Sequence, residues 1–152
     1  MAVSEMVKIE RSVFIKASRS RVWRALTKIE EFSQWFSVQA KAGFEAGKRV
    51  DMVSTHNSCK GTAFWLTVET MQPEEYFSWR WYPGSASPDD PNDSPTLVEF
   101  RLHEAEGGTM VTVTESGFDR ISLERRAKAF TENEEGWKIQ MASLERYVRE
   151  TV

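Results

Sequence analysis

The sequence predicts an α+β domain in which a curved antiparallel sheet grips one long C-terminal helix, with two short helices closing one end. Three observations predict it. Residues 37–117 carry a succession of apolar/polar alternations separated by turn residues, the pattern of an antiparallel sheet with one solvated face. Residues from about 120 to 150 carry apolar side chains at 3- or 4-residue steps. A sheet with one apolar face needs a cover, and only that last segment combines the length with the stripe.

The elements follow in order. In "VKIERSVFIKA" (7–17), Val7, Ile9, Val13 and Ile15 alternate with polar neighbours, as in a strand with one buried face. "RVWRALTKIEEFSQWF" (21–36) reads as two helices. Ser18 or Ser20 can cap the first, on which Val22, Leu26 and Ile29 share a face. Thr27 and Glu30 fit a T-x-x-E capping box, which places a break at Thr27. On the second helix Phe32, Trp35 and Phe36 share a face by i, i+3, i+4 spacing.

About six strands follow. Val50 and Met52 alternate with charges, and continuing that parity turns Ser54 and His56 inward. "KGTAFWLTVETM" is a long apolar strand. "EEYFSWRWYP" sets Phe77, Trp79 and Trp81 against Tyr76, Ser78 and Arg80. "PTLVEFRLHE" sets Val98, Phe100 and Leu102 against Glu99, Arg101 and His103. After a Gly107–Gly108 hairpin, Val111 and Val113 face inward, and the same parity carries Glu115 with them. The loop "PGSASPDDPNDSP" (83–95) is expected to be mobile. In the final helix Phe130, Trp137, Met141, Leu144 and Val148 form the stripe, with one gap filled by Asn133 or Glu134. Gly136 inside a helix costs about 1 kcal/mol against Ala, which asks for a packing or ligand reason.

At 152 residues the chain is expected to form one domain, 1–152, with a net charge of −3 that gives no electrostatic case for nucleic acid. Cys59 stands alone, so no internal disulfide or cysteine-based metal site is expected, and His56 and His103 lack ligand spacing. The N-terminus has no signal-peptide pattern and no segment reaches transmembrane length, so a cytoplasmic protein without membrane insertion is expected. Neither a catalytic residue nor a metal or other cofactor is assigned, and the oligomeric state is not fixed. The six Trp and nine Phe need a large enclosure, since each ring buries roughly 150–250 Å².

With this order of elements the chain resembles the START-like (SRPBCC) superfamily and its helix-grip fold. Within it, the chain is most similar to the bacterial family related to the C-terminal domain of the activator of heat shock protein 90 ATPase. "IERSVFIKASRSRVWRALTKIEEFSQWF" (9–36), "FSWRW" (77–81), "LVEFRLHEAEGGTMVTVTESGF" (97–118) and "EGWKIQMASLERYV" (135–148) carry the resemblance. Three positions depart from the family pattern: Ser18 where Pro is frequent, Lys28 where Asp is usual, and Glu115 where His is common.

The resemblance implies a cavity for an apolar or aromatic ligand between sheet and long helix. Its wall would include Trp65, Trp79, Trp81, Phe100, Phe130, Trp137 and Met141, with Trp35 and Phe36 on a lid over its mouth. The same rings also suit an ordinary core. His56 and Glu115 supply polar groups near strand ends, where an ordinary rim residue is the competing reading. If enclosed, Glu115 would have a raised pKa and could act as an acid–base group. The family name also implies a chaperone partner, and the superfamily implies polyketide cyclase-type chemistry as a further alternative.

Overall fold

The computed structural model describes residues 7–57, 60–84 and 86–151; Cys59 lies outside the described residues. The order is β1 (Lys8–Ile15), α1 (Arg19–Thr27), α2 (Ile29–Phe36), then β2 (Val38–Ala40), β3 (Arg49–Ser54), β4 (Ala63–Gln72), β5 (Tyr76–Trp81), β6 (Thr96–Ala105) and β7 (Gly108–Ser116). A short 3-10 turn, Phe118–Arg120, leads into α3 (Leu123–Glu150). This is the α+β helix-grip arrangement expected from the sequence, with all six strands of the 37–117 region present.

The strands form one antiparallel sheet in the order β1-β7-β6-β5-β4-β3-β2. Strands β2 to β7 are a meander, and β1 pairs with β7 at its far edge. Registers confirm the parity reading: Trp79 faces Val68 and Val98 on its neighbours, and Glu115 faces Val98 and Ile9. Those inward positions are buried, as are Phe77, Phe100, Val111 and Val113. The β6–β7 hairpin turns through Gly107 at φ 81. At Gly108 a Cβ would stand 2.2 Å from Ile15 O, so only glycine fits where β7 meets the end of β1.

The helices close over this face. Helix α3 buries Phe130, Trp137, Met141, Leu144 and Val148, the predicted stripe, together with Ala129. Helix α1 buries Val22, Ala25 and Leu26. Trp23 is half-buried and meets Phe77 edge-on at 6.2 Å. The break between α1 and α2 has a different cause from the one expected. Lys28 at φ −81, ψ 118 leaves the helical region, and no side chain caps α2. Thr27 instead donates its hydroxyl to Trp23 O at 2.7 Å, one turn back. What holds α2 is Glu31, which accepts from Arg21 Nη1 at 2.8 Å, Arg24 Nε at 2.7 Å and the Tyr147 hydroxyl at 3.0 Å. Burial opposes its charge, but these hydrogen bonds and guanidinium charges outweigh burial and hold its carboxyl below the ordinary value.

The 83–95 loop, expected to be mobile, is tied to the start of α3. Asp93 is buried and accepts from Ser87 N at 2.8 Å, Ser122 N at 2.9 Å and Arg125 Nε at 2.8 Å. Arg125 also pairs with Asp90. Arg125 thus latches this loop to the first turn of α3.

Candidate functional site

The gap in the α3 stripe is where the helix meets Glu115. This carboxylate has 0% of its surface exposed, because parity points it inward and α3 lies across it. Four neutral side chains donate to it. Trp137 Nε1 reaches Oε1 at 2.8 Å, Trp81 Nε1 reaches Oε2 at 2.8 Å, and Thr96 Oγ1 reaches Oε2 at 2.5 Å. Asn133 Nδ2 contacts both oxygens, at 2.9 and 3.1 Å. Burial pushes the Glu115 pKa above the ordinary carboxylate range, and the hydrogen bonds from Thr96, Trp81, Asn133 and Trp137 only partly oppose it. The competing reading of Glu115 as an ordinary rim residue therefore fails, because α3 extends past the strand end and roofs it.

In front of this cluster lies a cleft of about 640 Å³ between the sheet and α3. Its apolar wall comes from Phe36, Val38, Phe64, Trp81, Pro83 and Trp137. Gly136 lies in its lining, and a Cβ added there would meet nothing within 4 Å. The missing side chain therefore widens the cleft without serving close helix packing. Gln140 also reaches the lining, with Nε2 held by Phe36 O at 3.1 Å.

The residues singled out from sequence divide into three groups. Phe36, His56, Trp65, Trp81 and Trp137 line the cleft. Glu115 stands behind its wall, covered by Trp81, Asn133 and Trp137. Trp35, Trp79, Phe100, Phe130 and Met141 are buried outside the lining, and Trp79 packs on Phe32, Phe36, Phe77, Trp81, Phe100 and Trp137. Trp35 is fixed in the core by its Nε1, which donates to Ala25 O at 2.8 Å, so the lid face of α2 is represented at the cleft by Phe36 alone. His56 reaches the lining from beyond the end of β3, where strand parity no longer applies, and its side chain is exposed. Trp65 points to the outer face of β4, with the Arg49 guanidinium 4.2 Å from its ring centroid.

Sequence reading left Thr96 unnoticed and treated Asn133 as one of two gap fillers. The signal for Asn133 was present: it lies four residues before Trp137, on the face that must meet the inward Glu115. The signal for Thr96 was present as well: it continues the inward parity of Val98, Phe100 and Leu102 to the start of β6 and is buried with them. Among the described residues no cluster of His, Cys, Asp or Glu is placed to hold a metal ion, and no helix is long and apolar enough to cross a membrane.

An antiparallel meander gripping a long helix, with an aromatic cleft between them, defines a START-like helix-grip protein. The chain belongs to the family described as Activator of Hsp90 ATPase homolog 1-like protein, which matches residues 16–149. Among solved structures it is similar to protein MLL2253 from Mesorhizobium loti, at 20% identity and a TM-score of 0.76 over 95% of this chain and 98% of that one. The Aha1 dimer from Colwellia psychrerythraea is similar at 19% identity and a TM-score of 0.75, over 95% and 97%. DynU16, a protein of the dynemicin biosynthetic locus, matches at 19% identity and a TM-score of 0.71; the match spans 94% of this chain but 47% of that one. No curated protein matches the chain.

Proposed function

We propose that the protein, acting as a single domain, binds a small apolar or aromatic molecule non-catalytically in the cleft between sheet and α3. The observation that carries this reading is Gly136: a helix position where a side chain would be free to stand is left empty, in the lining of a cleft that Trp81, Trp137 and Phe36 also wall. A cleft of about 640 Å³ suits a drug-sized ligand, and mostly apolar walls with few polar groups are the usual composition of such sites. Catalysis is disfavoured because the carboxylate with the raised pKa lies behind the wall, where its donors cover it. The family name keeps chaperone binding as a second reading, which a pull-down with Hsp90 addresses directly.

The test is native mass spectrometry of the purified protein, followed by calorimetric titration with a panel of bicyclic aromatics. A co-purifying small molecule, or saturable one-to-one binding lost on filling the cleft at Gly136, supports the reading. A protein that arrives empty and binds no member of the panel overturns it.

A further inference from the structure

The polar wall of the cleft contains an acceptor that no described residue satisfies. Asn133 gives its Nδ2 to both oxygens of Glu115, and its Oδ1 receives nothing. The sense of the amide is dictated by its partner. An ionised carboxylate only accepts, so the amide nitrogen must face it and the oxygen must turn away. When Glu115 is protonated, the Thr96 hydroxyl, 2.5 Å from Oε2, can accept that hydrogen in place of donating its own, so protonation does not require the amide to turn.

The oxygen turned away lies on the side of Gly84. A Cβ at Gly84 would stand 3.3 Å from Asn133 Oδ1, and with none there the acceptor is left uncovered. Both residues belong to the cleft lining. The indole N–H groups of Trp81 and Trp137 are committed to Glu115, and the Gln140 amide nitrogen to Phe36 O. Thr62 and Tyr82 bring hydroxyls, but a hydroxyl donates as readily as it accepts and does not discriminate. Glu132 and Gln140 add carboxylate and amide oxygens that also only accept, so the polar side of the cleft favours a donor, and Asn133 Oδ1 is the acceptor there whose direction Glu115 fixes.

We propose that the cleft selects aromatic molecules bearing a hydrogen-bond donor, an O–H or N–H on the ring system, and seats that donor on Asn133 Oδ1. The proposal rests on the small-molecule reading above and deepens it. A ligand without the donor strips water from Oδ1 and returns nothing, which leaves a polar atom unsatisfied. The buried Glu115 acts here as a positioning residue: it never touches the ligand, and it fixes which end of the amide the ligand meets.

Two probes of nearly equal shape separate the outcomes: 2-naphthol, which carries the donor, and 2-fluoronaphthalene, which does not. Their affinities are measured by calorimetry for the native protein and for Asn133→Ala. The native protein should favour 2-naphthol, and the ratio of the two affinities should fall by roughly tenfold in the variant, the worth of one hydrogen bond. Binding of both probes with a ratio unmoved by Asn133→Ala overturns the donor preference and leaves the small-molecule reading standing. Binding of neither overturns both. Since removing Asn133 also takes a donor from Glu115, the native protein gives a second readout. The Asn133 side-chain carbonyl 13C resonance should shift with 2-naphthol and not with 2-fluoronaphthalene, and equal shifts count against the proposal.

Discussion

Trp137 donates its indole N–H to Glu115 Oε1 at 2.8 Å, and this contact joins the middle of α3 to the end of β7. A second indole, from Trp81, reaches the other oxygen at the same distance. With Thr96 and Asn133, the carboxylate is a structural node shared by four elements, β5, β6, β7 and α3, and its partners are neutral. Without a cation, desolvation dominates and its pKa is raised.

The raised pKa has a consequence for stability. In the unfolded chain Glu115 titrates near its ordinary value of 4.5, while the folded protein holds the proton to higher pH. The folded state thus binds more protons above 4.5, so the contribution of Glu115 is fully present below that pH and is lost as pH rises through its folded pKa. Glu115→Gln removes this dependence. Urea unfolding of the two proteins from pH 4.5 to 9 should show the native protein losing ground against the variant as pH rises. A constant difference across the range would mean that the carboxylate is charged throughout.

Gly136 separates stability from binding. It lies inside α3 with open space beyond it, so Gly136→Ala should stabilise the fold by about 1 kcal/mol through helix propensity alone. Gly136→Leu should keep the fold and occupy the cleft. Thermal unfolding checks the first expectation, and the loss of aromatic-probe binding with an unchanged circular dichroism spectrum checks the second.

Trp35 was placed by its helical spacing on the same face as Phe36, and both pack on Phe32, but only Phe36 reaches the cleft. The Trp35 ring is buried, with its N–H on Ala25 O. Trp35→Ala should cost about 3–5 kcal/mol, the usual range for emptying a buried aromatic site. Trp35→Phe should weaken the fold less and leave probe affinity unchanged once the protein is folded. Chemical denaturation and calorimetry at low temperature separate the two effects.

The fold was legible because strand parity and helix periodicity are local. Val111 and Val113 were enough to aim Glu115 inward, and the α3 stripe was read correctly from Phe130 to Val148. What stayed hidden depends on long-range pairing. The gap at Asn133 could not be assigned a partner until β7 and α3 were brought together. The capping box at Thr27 failed for a local reason: the threonine hydroxyl had a carbonyl one turn back available and bonded there. The same limit applies to the 83–95 loop, whose Pro, Ser and Asp content reads as mobile while Asp93 is claimed by Arg125 from a distant helix.

That loop carries Pro83, Gly84, Ala86 and Pro88 into the cleft lining, so its anchoring bears on binding. The hydrogen bond from Arg125 holds the Asp93 carboxyl well below the usual range; burial opposes this, and the backbone N–H groups of Ser122 and Ser87 add to it. The sign is opposite to that of Glu115. A depressed pKa contributes stability above the unfolded value of 3.8, and that stability is lost as pH falls through the folded value. Asp93→Asn should therefore lower the melting temperature at pH 7, with the gap to the native protein narrowing in acid. Amide exchange at Ser87, whose N–H loses its charged acceptor, should quicken at neutral pH. Aromatic probes should bind the variant more weakly in proportion to the fraction of molecules with the loop undocked. If exchange at Ser87 quickens while probe affinity holds, the loop borders the cleft without shaping it.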